Sequence, residues 1–381
     1  MPWKEATAMS LRWEIVQRAS EEGANKSRLA REFKVSRKTV YKWLSRFRQR
    51  GRPGLRDLSQ RPHASPTRTP AAMEEKVLAL RDEHGWGGRK VSRRLRDLGV
   101  LDVPPASTIT EILRRHGRLD PDEGAKHRAW QRFEAEAPND LWQMDFKGHF
   151  PLASGARCHP LTVLDDHSRF CIGLRACADE RRTTVQEQLT GLFRRYGLPE
   201  RLLVDNGPPW GTAMEASERV SRLEAWLIRS GVTVVHAGAY HPQTLGKDER
   251  FHRTLLHELI RNQIFHDLEH AQQSFDPWRE VYNTQRPHDS LGLAIPAGRY
   301  RESPRTYPET PPPVEYLPED VIRRVDDKGR ISFRNRYFRV GKALHGHPVA
   351  LRQTETDGEL DVYFCHQRVA QIHLRHSSLK P

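Results

Sequence analysis

Cysteine is scarce in this chain: four in 381 residues, at Cys158, Cys171, Cys177 and Cys365. No pair has C-x-x-C spacing, so neither a disulfide framework nor a cysteine-built zinc site is expected. No apolar run approaches the roughly 18 residues that a membrane-spanning helix needs. The opening residues, Met1-Pro2-Trp3-Lys4-Glu5, lack the apolar stretch of a secretory leader, which predicts a cytoplasmic protein. Hydrophobic residues make up only 36% of the chain, yet nine Trp and thirteen Phe supply core anchors and exclude full disorder. No repeat of solenoid period is present.

Positive charge, by contrast, is abundant. Lys and Arg number 63 against 49 Asp and Glu, a net charge of +14 with His neutral. The excess is concentrated at the front: residues 1–70 hold 17 basic and 6 acidic residues, whereas residues 131–300 hold 20 and 22. The front therefore reads as an attachment surface for nucleic acid and the middle as a different kind of domain. Three stretches read as connectors. Residues 53–70 are rich in Gly, Pro, Ser and Arg, residues 119–138 have mixed charge, and residues 303–318 carry six prolines and predict a stiff spacer. They separate segments 1–52, 71–118, 139–302 and 319–381.

The first segment predicts three helices. Leu11, Ile15, Val16 and Ala19 form one apolar stripe, Asn25 opens a second short helix with Leu29, Ala30 and Phe33 inward, and Ser36 is a good N-cap for a third. In that third helix Val40, Trp43, Leu44 and Phe47 fall on one face. Arg37, Lys38, Tyr41 and Lys42 remain on the other, where the first turns of a recognition helix would meet base edges. This segment resembles a bacterial helix-turn-helix, with Lys34 standing where the turn commonly has Gly. The second segment repeats the scheme: Val77, Leu78 and Leu80, a break at Trp86-Gly87-Gly88, then Val91, Leu95 and Leu98, then a helix after Ser107 with Ile109, Ile112 and Leu113 inward. Arg114 and Arg115 near its end are candidate DNA contacts; its near-neutral charge also suits a scaffold.

The middle segment places carboxylates in three settings. Trp142, Met144 and Phe146 alternate with Gln143, Asp145 and Lys147, a strand with one buried face and an acid in mid-strand, an expensive place for a lone carboxylate. Two further strands follow, linked by a turn around Asp166, where Asp165 and Asp166 suit turn or capping roles. After a helix over 183–196, the short strand Leu202-Leu203-Val204 ends at Asp205-Asn206-Gly207, past the end of a buried strand, where α/β sheets build their sites. A helix over about 217–230 and a strand over 232–236 come next, and then the loop 239–246 leads into a helix with Glu249 in its first turn. The order is three strands, helix, strand, helix, strand, helix.

That arrangement resembles the ribonuclease-H-like fold: a mixed five-stranded sheet with helices. The words WQMDF, VLDDHSRF, VDNGPPW, HPQTLGKDERFHRTL and YNTQRPHDSLG together resemble the integrase core of bacterial insertion-sequence transposases, the DDE group related to retroviral integrases. The resemblance is strongest over about 139–300 and is to the single-frame type with N-terminal helix-turn-helix units. It implies that Asp145, Asp205 and Glu249 are the catalytic carboxylates and hold two Mg²⁺ or Mn²⁺ ions. Hard divalent ions take oxygen ligands, and a pair of them can activate the attacking oxygen and stabilise the leaving one. The resemblance implies double-stranded DNA as partner, both element ends and target, with a homodimer or larger assembly on it, and a nucleoid-associated location. Asn206, His241, Gln243, Lys247 and Arg250, beside the acids, are candidate DNA contacts; His252 and His257 suit packing or solvent better than metal. The 43 residues between Asp205 and Glu249 exceed the family's usual spacing, with the extra length in the loop after Asp205.

The tail alternates as short strands from about 320, punctuated by Gly329, Gly341, Gly346 and Gly358, and predicts a small β-barrel that could hold DNA or a second subunit, with Arg334, Arg336 and Arg339 as candidate contacts. Two other readings fit less of the chain. A DNA-binding repressor or remnant without catalysis needs no intact acids, and a nuclease for RNA–DNA hybrids needs no long basic front end.

Overall fold

The computed structural model describes residues 7–58, 68–119, 134–207, 210, 220–236 and 246–374. The chain divides into two compact units, Met1–Arg68 and Thr69–Pro381. In the first unit, helices α1 (Ala8–Ser20), α2 (Lys26–Glu32) and α3 (Arg37–Arg50) start at Thr7, Asn25 and Ser36, whose side chains accept hydrogen bonds from the first-turn amides. Ile15, Val16, Ala19, Leu29, Ala30, Val40, Trp43 and Leu44 close one small core. Lys34 sits in the turn with φ +51°, the left-handed conformation that glycine ordinarily supplies. The expected helix-turn-helix is thus present, its turn built on a lysine.

The second unit opens with α4 (Ala71–His84), α5 (Gly88–Asp97) and α6 (Ala106–Arg115), packed around Val77, Trp86, Val91, Leu95, Ile109, Ile112 and Leu113. A Cβ at Gly88 would lie 2.3 Å from Thr110 Oγ1, so the crossing of α5 and α6 depends on glycine there. Then come β1 (Leu141–Phe146), the two-residue β2 (Phe150–Pro151), β3 (Arg157–Asp165), β4 (Cys171–Cys177), α7 (Arg182–Tyr196), β5 (Arg201–Val204), α8 (Arg222–Arg229), β6 (Thr233–His236), α9 (Gly246–Glu258) and α10 (Leu268–Thr284). The sheet runs β3-β1-β5-β6, with β4 and β2 both pairing β3. β3 is antiparallel to β1 and β4, whereas β1, β5 and β6 are mutually parallel. The five-stranded mixed sheet is as expected; β2 adds a short sixth piece.

Both faces of this sheet are covered. Trp142, Met144, Val163 and Ile172 pack with α7 and α8, while Cys158, Leu164, Cys171 and Leu174 pack with Phe251 and Leu255 of α9 and Phe275 and Tyr282 of α10. α10 was not legible in the sequence, where Pro277 interrupts the pattern; the structure places that proline inside the helix. Asn283 near its end accepts from the Cys171 amide and donates to the Cys171 carbonyl, locking α10 to β4.

Residues 303–318 are not a free spacer. The Ser303 amide donates to the Tyr196 carbonyl, Arg305 Nη1 donates to the Pro199 carbonyl, Arg194 pairs with Glu309, and the Tyr316 hydroxyl donates to the Pro348 carbonyl. Gly197, at φ +76°, makes room: a Cβ there would meet the Ser303 carbonyl at 2.6 Å. The tail folds as two small antiparallel sheets rather than one closed barrel. One is ordered β12-β11-β10-β7 (Gln367–His373, Glu359–Phe364, Pro348–Gln353, Val321–Arg324), the other pairs β8 (Arg330–Phe333) with β9 (Arg336–Arg339). Arg334 and Asn335, both at positive φ, make the β8–β9 turn. β7 gives no alternation signal in the sequence, because both Val321 and Ile322 are exposed. Among the described residues, no helix is long and apolar enough to cross a membrane.

Candidate active site

The parallel pairing of β1 and β5 sets Leu141, Trp142 and Gln143 opposite Arg201, Leu202 and Leu203. Both strands therefore end on the same side of the sheet, with Asp145 near the end of β1 and Asp205 one residue past β5. Alternation along β1 puts Trp142 and Met144 on the α7–α8 face, so Gln143 and Asp145 face α9. Burial pushes the Asp145 carboxyl up to about 6, and the charge of Asp205 adds to the shift, with a smaller push from Glu180. A neighbouring carboxylate that raises the proton affinity of Asp145 also favours a positive charge brought between the two.

His252 of α9 faces the same place. Thr162, opposite Asp145 in the β1–β3 register, donates its hydroxyl proton to the Asp145 carbonyl at 2.9 Å. That hydroxyl can then only accept from His252 Nε2 at 2.8 Å, which assigns the ring proton to Nε2. Nδ1, 3.9 Å from Asp145 Oδ2, is left as an acceptor. Burial and the charge of Lys147 lower the His252 pKa to about 4, so the ring is neutral at pH 7. Asp145 and Asp205 thus offer carboxylate oxygens at neighbouring strand ends, the kind of ligand a hard cation takes, and His252 beside Asp145 brings no positive charge.

Asp205 is anchored by its own turn: the Gly207 amide donates to Asp205 Oδ1 at 2.9 Å. Behind it, His236 Nδ1 contacts the Asp205 carbonyl at 3.1 Å while Nε2 meets Glu224 Oε1 at 2.6 Å, and that carboxylate raises the His236 pKa. Glu249 is exposed in the first turn of α9, three residues before His252 and so on the same helical face. Among the described residues, no three acidic, His or Cys side chains are already gathered as a metal cage.

The α9 residue buried against the acids is Asp248. It is fully buried, neither oxygen has a hydrogen-bond partner among the described residues, and burial with the charges of Asp145 and Asp166 raises its pKa well above the usual carboxylate range. Nothing in the sequence marked it, because an acid beside a catalytic acid reads as part of an exposed first turn. Asp165 and Asp166 do serve the turn. Asp165 accepts from the Asn139 and Ser168 amides, and Asp166 accepts from the Ala135 amide and from Gln143 Nε2. Lys247 also donates to Asp166, so its ammonium points into the protein rather than to an open groove.

The remaining expected contacts fall in different places. Arg37, Lys38, Tyr41 and Lys42 are all exposed on α3, in the first unit. Arg250 and Asn206 are exposed. Arg114 pairs with Glu111, and Arg115 is held by the buried Glu74, which also meets His116 Nε2 at 3.0 Å, so Arg115 has a structural load of its own. His241 and Gln243 lie outside the described residues.

Residues 135–242 and 230–296 match two integrase core domain families, and residues 7–56 and 39–113 match homeodomain-like domains. Residues 320–380 match the IS481 family transposase C-terminal domain. The chain has the domains of an insertion-sequence transposase. The chain is 30% identical over 161 residues to an uncharacterized 31.7 kDa protein of insertion element IS407 from Burkholderia multivorans, covering 42% of this chain and 55% of that protein. It is 27% identical over 242 residues to a 39.2 kDa protein of insertion element IS476 from Xanthomonas euvesicatoria, covering 61% and 66%. The chain thus spans 55% and 66% of these relatives' lengths. Among solved structures, the HTLV-2 integrase catalytic core in complex with magnesium aligns with 44% of this chain and all of its own, at 14% identity and a TM-score of 0.32, a loose likeness only.

Proposed function

We propose that this chain is a DDE transposase that binds the terminal inverted repeats of its insertion sequence, cleaves the 3′ ends and joins them to target DNA. The observation that carries this reading is the acceptor cluster at the ends of β1 and β5, where Asp145 is held near pKa 6 by burial and by Asp205. Asp145, Asp205 and Glu249 would hold two Mg²⁺ or Mn²⁺ ions. Such ions, when bound, lower the pKa of the attacking water or 3′-hydroxyl and stabilise the leaving oxygen. The residues' own part is to supply negative oxygens from three elements. Asp145 is fixed by the β1–β3 ladder, Asp205 by the Gly207 turn, and Glu249 comes from the head of α9. His252 stays neutral and adds no positive charge where a cation binds. The exposed cations and tyrosine of α3 suit base-edge contacts. Two element ends must meet for joining, so a dimer or larger assembly on DNA belongs to this reading.

The test is cleavage and joining of a labelled duplex carrying the element's end, with Mg²⁺ or Mn²⁺. Asp145→Asn, Asp205→Asn and Glu249→Gln should each abolish both steps while leaving DNA binding intact. Wild-type protein that binds the end but cuts with neither metal, even with paired ends, would make the chain a silent DNA-binding protein.

A further inference from the structure

Asp205 is held from two sides by one closed path of polar contacts. On one side its own turn holds the carboxylate. The Gly207 amide donates to Asp205 Oδ1 at 2.9 Å, and the Trp210 amide donates to the Gly207 carbonyl at 3.0 Å. On the other side the β5–β6 ladder stops at Val204 opposite His236. The Asp205 carbonyl lies one residue past that last pair, and the His236 ring reaches it, with Nδ1 at 3.1 Å. A carbonyl oxygen only accepts, so Nδ1 is the donor.

The two sides meet at the head of α8. Glu224 is buried, and its carboxylate is divided between two neighbours. Oε1 lies 2.6 Å from His236 Nε2, and Oε2 accepts from the Ser221 amide. The Glu224 amide donates to the Ser221 hydroxyl at 3.1 Å, and that hydroxyl donates to the Trp210 carbonyl at 2.9 Å. The path therefore runs from the Asp205 carboxylate through Gly207, Trp210, Ser221, Glu224 and His236 back to the Asp205 carbonyl. The buried Trp210 ring also stacks on Phe146, with 5.6 Å between centroids, next to Asp145. A capping box needs only the Glu224 oxygen that faces Ser221. The other oxygen is turned to an imidazole that points at the backbone of Asp205. Burying a carboxylate to do so carries a desolvation cost that capping an exposed helix end does not.

We propose that Glu224 and His236 are a positioning pair for Asp205, fixing its backbone so that its carboxylate stays turned to Asp145. This rests on reading Asp205 as a metal ligand of a transposase, and it adds two residues which that reading does not assign. Both act through Asp205. The closed path also accommodates the long spacing to Glu249. The bond between Ser221 and Trp210 ties the chain on either side of residues 211–219, so length added there leaves the Asp205 turn in place. Polar partners behind a metal ligand change metal affinity or activity by about 10–100-fold when removed.

The experiment uses the full chain. Mn²⁺ binding is measured by calorimetry without DNA, with Asp205→Asn as the baseline, and cleavage of the element-end duplex is followed in parallel. His236→Ala should weaken Mn²⁺ binding and slow cleavage by about 10–100-fold each, with affinity for the duplex unchanged. His236→Asn puts an amide N–H where Nδ1 stood and should recover most of both. Glu224→Ala should fall with His236→Ala, and the double variant should fall no further, because the two act in series. Three results overturn the inference and leave the transposase reading standing: His236→Ala that binds Mn²⁺ and cleaves like wild type, equal losses in the Ala and Asn variants, or additive losses in the double variant. Wild-type protein that binds Mn²⁺ no better than Asp205→Asn overturns that reading itself, and the positioning pair with it.

Discussion

At the scale of single residues, Asp248 is the position where composition and environment disagree most. It lies on the α9 stripe with Phe251 and Leu255, three and seven residues on, where an apolar side chain would pack. Instead it buries a carboxyl with no partner for either oxygen among the described residues. Leaving such a group unsatisfied costs about 1–3 kcal/mol. In metal-free protein, Asp248→Val should therefore raise thermal stability by about that amount. The direction with pH follows from its raised folded-state pKa. The native state binds a proton more tightly than the unfolded chain, so wild-type stability is favoured at low pH and falls as pH rises above the ordinary carboxylate range. Valine carries no such dependence, so its advantage should widen upward from about pH 4. Calorimetry at several pH values decides it; an advantage that shrinks on raising the pH would mean that the carboxyl is paired as an anion. Asp145 and Asp205 were legible as acids at strand ends, because alternation and a strand-terminating Asp-Asn-Gly are local signals. Asp248 and His252 were not, since their roles come from what β1 and β3 bring beneath α9.

At the scale of elements, the caps were readable and the turns less so. Asn25 and Ser36 accept the amides expected of them. Lys34 is the instructive departure. Its side chain is exposed, and its backbone is left-handed at φ +51°, which costs a non-glycine residue roughly 1–2 kcal/mol. Glycine would remove that strain while gaining about 0.5–1 kcal/mol of unfolded-state freedom. Lys34→Gly should accordingly stabilise the first unit, by no more than about 1 kcal/mol, at the loss of one positive charge. Denaturant unfolding followed by Trp13 and Trp43 fluorescence reads this directly, and a destabilised variant would show that the lysine side chain carries a contact beyond its turn. The strands that escaped the sequence reading, β2 and β7, are short and exposed in part, so period-two alternation had too few residues to register. α10 escaped for the opposite reason: its pattern is long, but Pro277 breaks it on paper where the fold tolerates it.

At the scale of the whole molecule, connectors were the least legible feature, because proline-rich composition says how stiff a segment is and not what it lies against. Residues 303–318 read as a spacer, yet their hydrogen bonds run along the ends of α7 and β5. Beyond them the C-terminal sheets share one apolar cluster with the integrase core: Val325, Ile331, Phe338, Val349 and Phe364 belong with Trp142, Phe193 and Ile228. Gln367 completes the joint. It accepts from the Val234 amide at 2.8 Å and donates to the Val234 carbonyl at 2.9 Å, which occupies backbone groups on the edge strand β6. Free strand edges invite pairing with other chains. Ending the chain after residue 302 should therefore not release a soluble catalytic core. It should uncover that cluster and the β6 edge, and give a protein that aggregates or unfolds well below the full-length chain. Gln367→Ala isolates the edge from the apolar cover: it should lower stability modestly and raise the tendency to self-associate, seen by light scattering. A truncated core that remains monomeric with an unchanged melting temperature would mean that the C-terminal sheets rest on the integrase core without sustaining it.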